Sequence, residues 1–308
     1  MKSILGFLLV GLFAINGQLQ AETIPSVATS IKPVSMIVKA IAGDKVAIEQ
    51  IVSNSASPHD FALRPSDLRK VINADLVVWV GESLEPFLEK PLHNSQHADT
   101  AIEWMSLVEA AGDHHESDKP KAVKSFESHG HGHGHHHDGL DPHVWLDIEN
   151  AHILAEAVAE KLSLMLPEQA SFFTQNLESF ESALAKADAE NKQSLLPLKD
   201  LNYVVFHDAY GYFEAHYDIA HIANISLSPE RKPGAKKVVS IRSLMKDESV
   251  ACIFSEVQFN PAIVNALVEG TSVKAIELDP LGASIALNET AYIAFIKQLG
   301  SQFSKCQA

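Results

Sequence analysis

Three histidines stand where one type of secondary structure gives way to another. His59 lies in "ASPHDFALRPSD", His143 lies in "GLDPHVWLDIEN", and His207 directly follows the apolar run "LNYVVF". Asp279 has a similar place after "VKAIEL". Three imidazoles and one carboxylate would make a four-coordinate site suited to zinc. Because these residues are scattered along the chain, spacing alone does not show that they meet. The alternative for each histidine is a capping or surface side chain.

The other histidines form two groups. Residues 113 to about 138 are rich in His, Asp, Glu, Lys, Ser and Gly and poor in apolar residues, which predicts a disordered surface loop inserted in the first domain. Its histidines are His114, His115, His129, His131, His133, His135, His136 and His137. They could hold zinc in interchangeable geometries, as a collector or sensor, although binding must overcome the ordering entropy of the backbone. The alternative is a passive loop. The remaining histidines, expected to be capping or surface side chains, are His93, His97, His152, His216 and His221.

The elements that must position these side chains alternate in type. Apolar runs such as "KVAIEQIVS", "DLVVWVG" and "VACIFSE" predict strands, and helical segments separate them, including one that starts at Pro65. Near the start, "SVATSIKPVS" predicts a strand that ends at a turn, and "MIVKAIAG" predicts a helix capped by Gly43. Alternating strands and helices indicate parallel βαβ units. In open α/β sheets ligands bind outside the carboxyl ends of the strands, where His207 and Asp279 are expected.

One helix is predicted to be much longer than a crossover needs. From Pro167 to about Leu196, apolar residues recur at intervals of three and four and form one stripe. At about 1.5 Å per residue such a helix spans roughly 45 Å, long enough to tie two lobes together. We therefore predict an α/β fold with an N-terminal lobe at 22–147, a helical region at 148–197 and a C-terminal lobe at 198–308.

The first residues and the charge suggest a compartment and a class of partner. An apolar run of twelve residues follows Lys2 and Ser3, which predicts a signal peptide at 1–21 cleaved after Ala21. No cysteine lies near that point, so a lipid anchor is not indicated. We expect an exported protein. Its 308 residues carry a formal net charge of −15, which argues against nucleic acid as a partner and mildly for cations.

The chain has two cysteines, Cys252 and Cys306. In an oxidising compartment an isolated pair favours a disulfide over two free thiols, which remain the alternative. A cysteine zinc site is not indicated, because there are too few thiolates and no local C-x-x-C pair.

Several motifs together resemble a known family. The segments "SASPHDFALRPSDLRKVINADLVVWVG", "DPHVWLD", "YVVFHDAYGYFEAHY" and "LDPLG" are similar to zinc-uptake members of the metal-binding class (cluster A-I, or cluster 9) of ABC-transporter solute-binding proteins. The similarity covers essentially the whole chain after the signal peptide, including the histidine-rich segment. Its most specific parts are "FHDAYGYF" and the pattern P-H-D-x-x-L-R-P-S-D.

The resemblance implies two (β/α) lobes with parallel sheets, joined by one long rigid helix, with a metal site in the cleft between them. It implies zinc ligation by His59, His143 and His207. Some members add a glutamate before the first histidine, but Pro58 stands there, so the fourth position falls to Asp279 or to water. It also implies a disulfide between the two cysteines.

The function implied is that of a periplasmic receptor that binds Zn²⁺ as transported cargo, not as a catalytic cofactor, and delivers it to an ABC permease in the inner membrane. We expect a monomer and no enzymatic activity. A manganese receptor of the same family is one alternative, but those relatives use two histidines and two carboxylates, a harder donor set. A secreted zinc hydrolase is another, although H-E-x-x-H and an evident general base are missing. A cell-surface metal buffer or adhesin is a third.

Overall fold

The computed structural model describes residues 24–112, 141–226 and 233–307. The predicted signal peptide and the eight histidines of the predicted loop lie outside these residues.

The first half of the chain forms a parallel four-stranded sheet in the order β2-β1-β3-β4. Its strands are β1 (Ser26–Thr29), β2 (Ala47–Gln50), β3 (Leu76–Trp79) and β4 (Ile102–Glu103). The helices of this lobe are α1 (Lys32–Ala42), α2 (Pro65–Asn73), α3 (Pro86–His93) and α4 (Trp104–Gly112). The strand order reverses beside β1, and such a switch point opens a crevice at the carboxyl ends of the strands.

The first helix begins earlier than its sequence pattern predicts. β1 ends at Thr29 and α1 starts at Lys32, within the stretch expected to be a strand and its closing turn. Pro33 lies in the first turn of the helix, where its fixed φ suits a helix start and its missing N–H costs no hydrogen bond. Gly43 follows the helix with φ of 54° and donates its N–H to the Lys39 carbonyl, as a cap. The predictions for Pro65 and Gly43 are thus confirmed.

The second half repeats the architecture, with a parallel sheet in the order β6-β5-β7-β8. Its strands are β5 (Tyr203–His207), β6 (Ala223–Ser226), β7 (Cys252–Glu256) and β8 (Lys274–Leu278). The helices of this half are α7 (Gly211–Tyr217), α8 (Ala235–Asp247), α9 (Ala262–Val268) and α10 (Ala291–Ser304). Here the order reverses beside β5, and β5 and β7 are the central strands.

The two faces of this second sheet pack in different cores. Val204 and Phe206 point to a small cluster with residues of α8 and α9, whereas Tyr203 and Val205 belong to the main core. Side chains of a strand alternate between faces, so His207 continues the second set. In β7 the same alternation places Glu256 in line with Cys252 and Phe254, which also belong to the main core.

Two long helices lie between the sheets in the chain, α5 (Ile148–Met165) and α6 (Ala170–Leu195). The short 3-10 turn Pro167–Gln169 precedes α6, so the long helix starts three residues later than predicted. Its 26 residues span about 39 Å at about 1.5 Å each. α6 packs against α1, α5 and α10. Of its predicted stripe, Phe173, Phe180, Leu184 and Ala187 are buried, and Leu177 is half-buried. The two-lobe α/β fold with a long connecting helix is therefore confirmed.

The loop that follows β8 forms hydrogen bonds between the two halves of the chain. The Trp145 indole donates a hydrogen bond to the Pro280 carbonyl at 2.8 Å, and Lys32 Nζ donates to the Ala283 carbonyl at 2.9 Å. Gly282 has φ of 60°, and a Cβ there would lie 2.8 Å from Met36 Cε of α1. A larger residue at 282 would thus strain the backbone and require the end of the Met36 side chain to shift.

Cys252 and Cys306 form a disulfide, as predicted. It joins β7 to the 3-10 turn that follows α10 and so pins the last helix to the second sheet. No helix in the described ranges is long and apolar enough to cross a membrane.

Candidate metal centre

His59, His143 and His207 come together, although 84 and 64 residues separate them in turn. Each offers a ring nitrogen, and these atoms all lie within 4.8 Å of one another. Their ring centroids are 4.9 to 5.3 Å apart. The three imidazoles, predicted to meet, therefore form one cluster.

Three separate elements bring these side chains to one place. His59 lies on the loop between β2 and α2, and His143 immediately precedes the 3-10 turn Val144–Leu146. His207 is the last residue of β5, at the switch point of the second sheet. His143 and His207 are each only 4% exposed. The cluster thus draws on both halves of the chain.

The spacing of two of the nitrogens suits a small cation. His143 Nε2 and His59 Nε2 lie 3.3 Å apart. In a tetrahedral zinc site, two nitrogens each about 2.0–2.1 Å from the ion are separated by about 3.3–3.4 Å. The two imidazoles therefore already stand at the distance from each other that shared coordination of zinc requires.

Asp141 orients the ring of His143 through hydrogen bonds. Its Oδ1 accepts a hydrogen bond from His143 Nδ1 at 2.7 Å and another from the His143 backbone N–H at 3.1 Å. An ionised carboxylate only accepts, so Nδ1 carries the hydrogen and Nε2 presents its lone pair to the cluster. Asp141 stands in the D-P-H motif, but sequence reasoning gave it no role.

Glu256 is a second carboxylate beside the cluster that sequence reasoning missed. It is the last residue of β7, is 4% exposed, and its Oε1 lies 3.5 Å from His207 Nδ1. Its place at the carboxyl end of a strand was the available signal, because the same placement singled out His207 and Asp279.

Asp279 lies apart from the three imidazoles. It follows β8 and is 3% exposed, but its oxygens do not belong to the group of ligand atoms within 4.8 Å of one another. Its Oδ1 instead accepts a hydrogen bond from Gln258 Nε2 at 3.3 Å, and its backbone N–H donates to Gln302 Oε1 at 3.2 Å. Its predicted role as fourth ligand stays a prediction.

Apolar residues surround the imidazoles. The pocket lined by the three histidines, Glu256 and Gln258 is otherwise walled mainly by Pro58, Trp145, Ala209, Phe259, Pro280 and Leu281. Such walls lower the local dielectric and strengthen the interaction between a cation and its ligands. No oxygen-rich cage of the kind that hard cations prefer is formed by these residues.

The histidines expected to be surface or capping residues have several environments. His93 is exposed, but His97 is only 2% exposed, and burial lowers its pKa. His221 Nδ1 lies 2.7 Å from a Glu214 oxygen and His216 Nε2 2.9 Å from Asp188 Oδ1. The prediction of a surface or capping position was therefore wrong for His97, and nothing in the sequence around His97 indicated its burial.

His152 belongs to a second group of possible ligands, on α5 and α6. Its ring nitrogens lie 3.5 Å from Glu156 and 3.2 Å from Glu181. These three side chains are between 37% and 57% exposed. Exposed ion pairs of this kind are common on helices, and they contribute little to stability.

The sequence and the fold match known zinc-uptake proteins. The family model ZnuA, "Zinc-uptake complex component A periplasmic", matches residues 27–306. The high-affinity zinc uptake system protein ZnuA of Yersinia pestis is 36% identical over 288 residues, covering 91% of each chain. The protein of the same name from Haemophilus ducreyi is 38% identical over 287 residues, covering 91% of this chain and 92% of the relative.

Solved structures share the fold. The periplasmic zinc binding protein TroA from Treponema pallidum has a TM-score of 0.75 at 21% identity, over 93% of this chain and 100% of that one. A crystal structure of ZnuA has a TM-score of 0.72 at 21% identity, over 91% of this chain and 100% of that one. At such identities the structures support the fold alone, whereas the family model and the sequence relatives span nearly the whole chain. The chain therefore belongs to the ZnuA family of periplasmic zinc-uptake components.

Proposed function

We propose that this protein is the zinc receptor of an ABC-type uptake system. It captures Zn²⁺ in the periplasm and delivers the ion to a permease in the inner membrane. The observation that carries the proposal is the 3.3 Å separation of His59 Nε2 and His143 Nε2, with His207 beside them and both halves of the chain contributing. Family membership supports the same role, since the family is one of solute-binding receptors.

Zinc is the cargo that this donor set favours. His59, His143 and His207 supply neutral imidazole nitrogens, which suit a borderline-soft ion, and the fourth position is taken by Asp279 or by water. A manganese receptor would be expected to present more oxygen ligands. A hydrolase would need a general base directed at an open coordination position, and Asp141 and Glu256 are directed at the Nδ1 atoms of histidines instead.

The rest of the proposal concerns the other parts of the chain. We propose that residues 1–21 are a signal peptide, that the mature monomer divides into the lobes 22–147 and 198–308 with the helical region 148–197 between them, and that the histidine-rich segment at about 113–138 is an accessory zinc collector or sensor. Delivery requires release of the ion, and binding needs deprotonated imidazoles, so acidification should favour release.

Calorimetric titration of zinc into the chelator-stripped exported chain tests this function. Three variants accompany the wild type: deletion of residues 114–137, His207→Ala, and His93→Ala as a control at an exposed histidine on α3. We expect one tight site that survives the deletion and His93→Ala but is lost in His207→Ala, and weaker events that vanish with the deletion. Tight binding that disappears with the deletion and ignores His207→Ala would make the protein a loop-based zinc buffer.

A further inference from the structure

Glu256 and His207 end the two central strands of the second sheet side by side. β5 and β7 pair in parallel with Val205 opposite Phe254, and each of the two polar residues follows its paired residue by two positions. They therefore project from the same face of the sheet. Glu256 Oε1 lies 3.5 Å from His207 Nδ1, and both side chains are buried.

Within the described part of the chain, one buried carboxylate oxygen of Glu256 lacks a hydrogen-bond donor. Among the described residues, Glu256 Oε1 has no hydrogen-bond partner. A buried carboxylate without a compensating donor or cation is costly. By contrast, the buried Glu214 accepts hydrogen bonds from the Tyr203 hydroxyl and the His221 backbone N–H. Two donors lie near this carboxylate: the ring of His207, and the buried hydroxyl of Tyr210, whose pKa is raised by burial and by Glu256. Of the two, only His207 belongs to the imidazole cluster.

We propose that Glu256 is a positioning residue of the zinc site, which holds His207 with Nδ1 protonated and Nε2 directed at the cargo ion. This inference rests on the proposed function and adds a residue to it. Glu256 oxygens are not in the group of ligand atoms around the three imidazoles, so Glu256 acts through His207 and not as a ligand. Histidine ligands of metals commonly donate their second ring hydrogen to a carboxylate in this way.

The zinc site thereby has two carboxylate–imidazole pairs, one already hydrogen-bonded and one at a longer distance. Asp141 holds His143 through Nδ1 at 2.7 Å, and Glu256 Oε1 lies 3.5 Å from Nδ1 of His207 within the second sheet. Each carboxylate selects the tautomer whose Nε2 lone pair is free for the ion and makes that imidazole a better donor. Loss of such a partner typically weakens metal binding by about 10–100-fold.

The test uses the full exported chain and the variants Glu256→Leu and Glu256→Gln. Glu277→Gln is the matched control, because Glu277 lies on the neighbouring strand β8 but is exposed. Zinc affinity is measured by competition with a chelator, and the tautomer of His207 is read by nitrogen-15 NMR in the metal-free protein. We expect Glu256→Leu to weaken zinc binding by about 10–100-fold and to shift His207 away from the Nδ1–H tautomer. Glu256→Gln should do less, since an amide oxygen still accepts.

A double variant that combines Glu256→Leu with His207→Ala distinguishes the possible roles of Glu256. If Glu256 acts through His207, Glu256→Leu has no further effect on zinc binding in the His207→Ala background. Unchanged affinity and an unchanged tautomer in Glu256→Leu, with binding lost in His207→Ala, would overturn this inference and leave the proposed function intact. A full additional loss in the double variant would make Glu256 an independent ligand and also overturn it. If His207→Ala binds zinc normally, both proposals fail. Should Glu256→Leu not fold, Glu256→Gln carries the same comparisons.

Discussion

Asp141 holds His143 at two points, through the ring Nδ1 at 2.7 Å and through the backbone N–H at 3.1 Å. One carboxylate oxygen thus fixes both the ring orientation of the histidine and the path of the chain that carries it. Just beyond, the Trp145 indole bonds the Pro280 carbonyl, so this short segment also connects the two halves of the protein.

We predict that Asp141→Asn weakens zinc binding by about 10–100-fold, because the amide can turn its NH₂ group toward Nδ1 and favour the wrong tautomer. Competition with a chelator measures the effect. Asp208→Asn is the control for charge, because Asp208 faces Asn224 and His221 and none of the three clustered histidines. Equal zinc affinity in Asp141→Asn and wild type would mean that His143 needs no carboxylate to bind.

Replacement of Asp279 by Asn should weaken zinc binding less than replacement of any of the three clustered histidines. Its carboxylate accepts from Gln258 and lies outside the group of clustered nitrogens, so we expect at most about a tenfold rise in the zinc Kd. His207→Ala, measured alongside, should exceed the roughly 10–100-fold typical of groups that act through a ligand. A loss for Asp279→Asn as large as that for His207→Ala would identify Asp279 as the fourth ligand in place of water.

Glu85 gives the folding stability a specific dependence on pH. Burial raises the pKa of this glutamate from 4.5 to about 7. The folded chain therefore binds the Glu85 proton more tightly than the unfolded chain does, so protonation of Glu85 stabilises the fold. This contribution to the free energy of unfolding is complete below a pH of about 4.5 and is lost as the pH rises through about 7.

We expect Glu85→Gln, which resembles the protonated form, to be more stable than wild type above neutral pH, by up to about 3 kcal/mol. The difference should shrink toward zero near the lower end of that pH window. Urea unfolding at several pH values measures it, with Glu89→Gln, an exposed position on α3, the helix that follows Glu85, as control. A stability difference that does not change with pH would show that Glu85 is ionised in the folded protein.

Gly300 allows α10 to approach α6 closely. A Cβ on this residue would lie 2.2 Å from Asn191 Oδ1, and Asn191 Nδ2 donates hydrogen bonds to the Ile296 carbonyl and the Tyr217 hydroxyl. Gly300→Ala must therefore displace Asn191, and we expect it to destabilise the protein by about 1–3 kcal/mol in urea unfolding. Gly112→Ala, at the exposed end of α4 with open space around it, is the control and should change stability by less than about 1 kcal/mol. Equal effects of the two changes would contradict the packing role of Gly300.

Much of this protein could be predicted from its sequence, for local physical reasons. Alternating apolar runs and helical stripes do not depend on distant contacts, so they indicated both parallel sheets and the long helix α6. Their positions directly after predicted strands singled out His207 and Asp279. The isolated pair of cysteines predicted the disulfide.

Other features depend on residues far apart in the chain, and only the tertiary structure decided them. The pairing of β5 with β7 places Glu256 beside His207, and two hydrogen bonds place Asp141 behind His143. Asp279 follows an outer strand of the sheet and lies outside the cluster, although its strand-end position looks the same in the sequence as that of His207. Sequence identifies which side chains stand at strand ends, but the order of strands in the sheet determines which of those ends are neighbours.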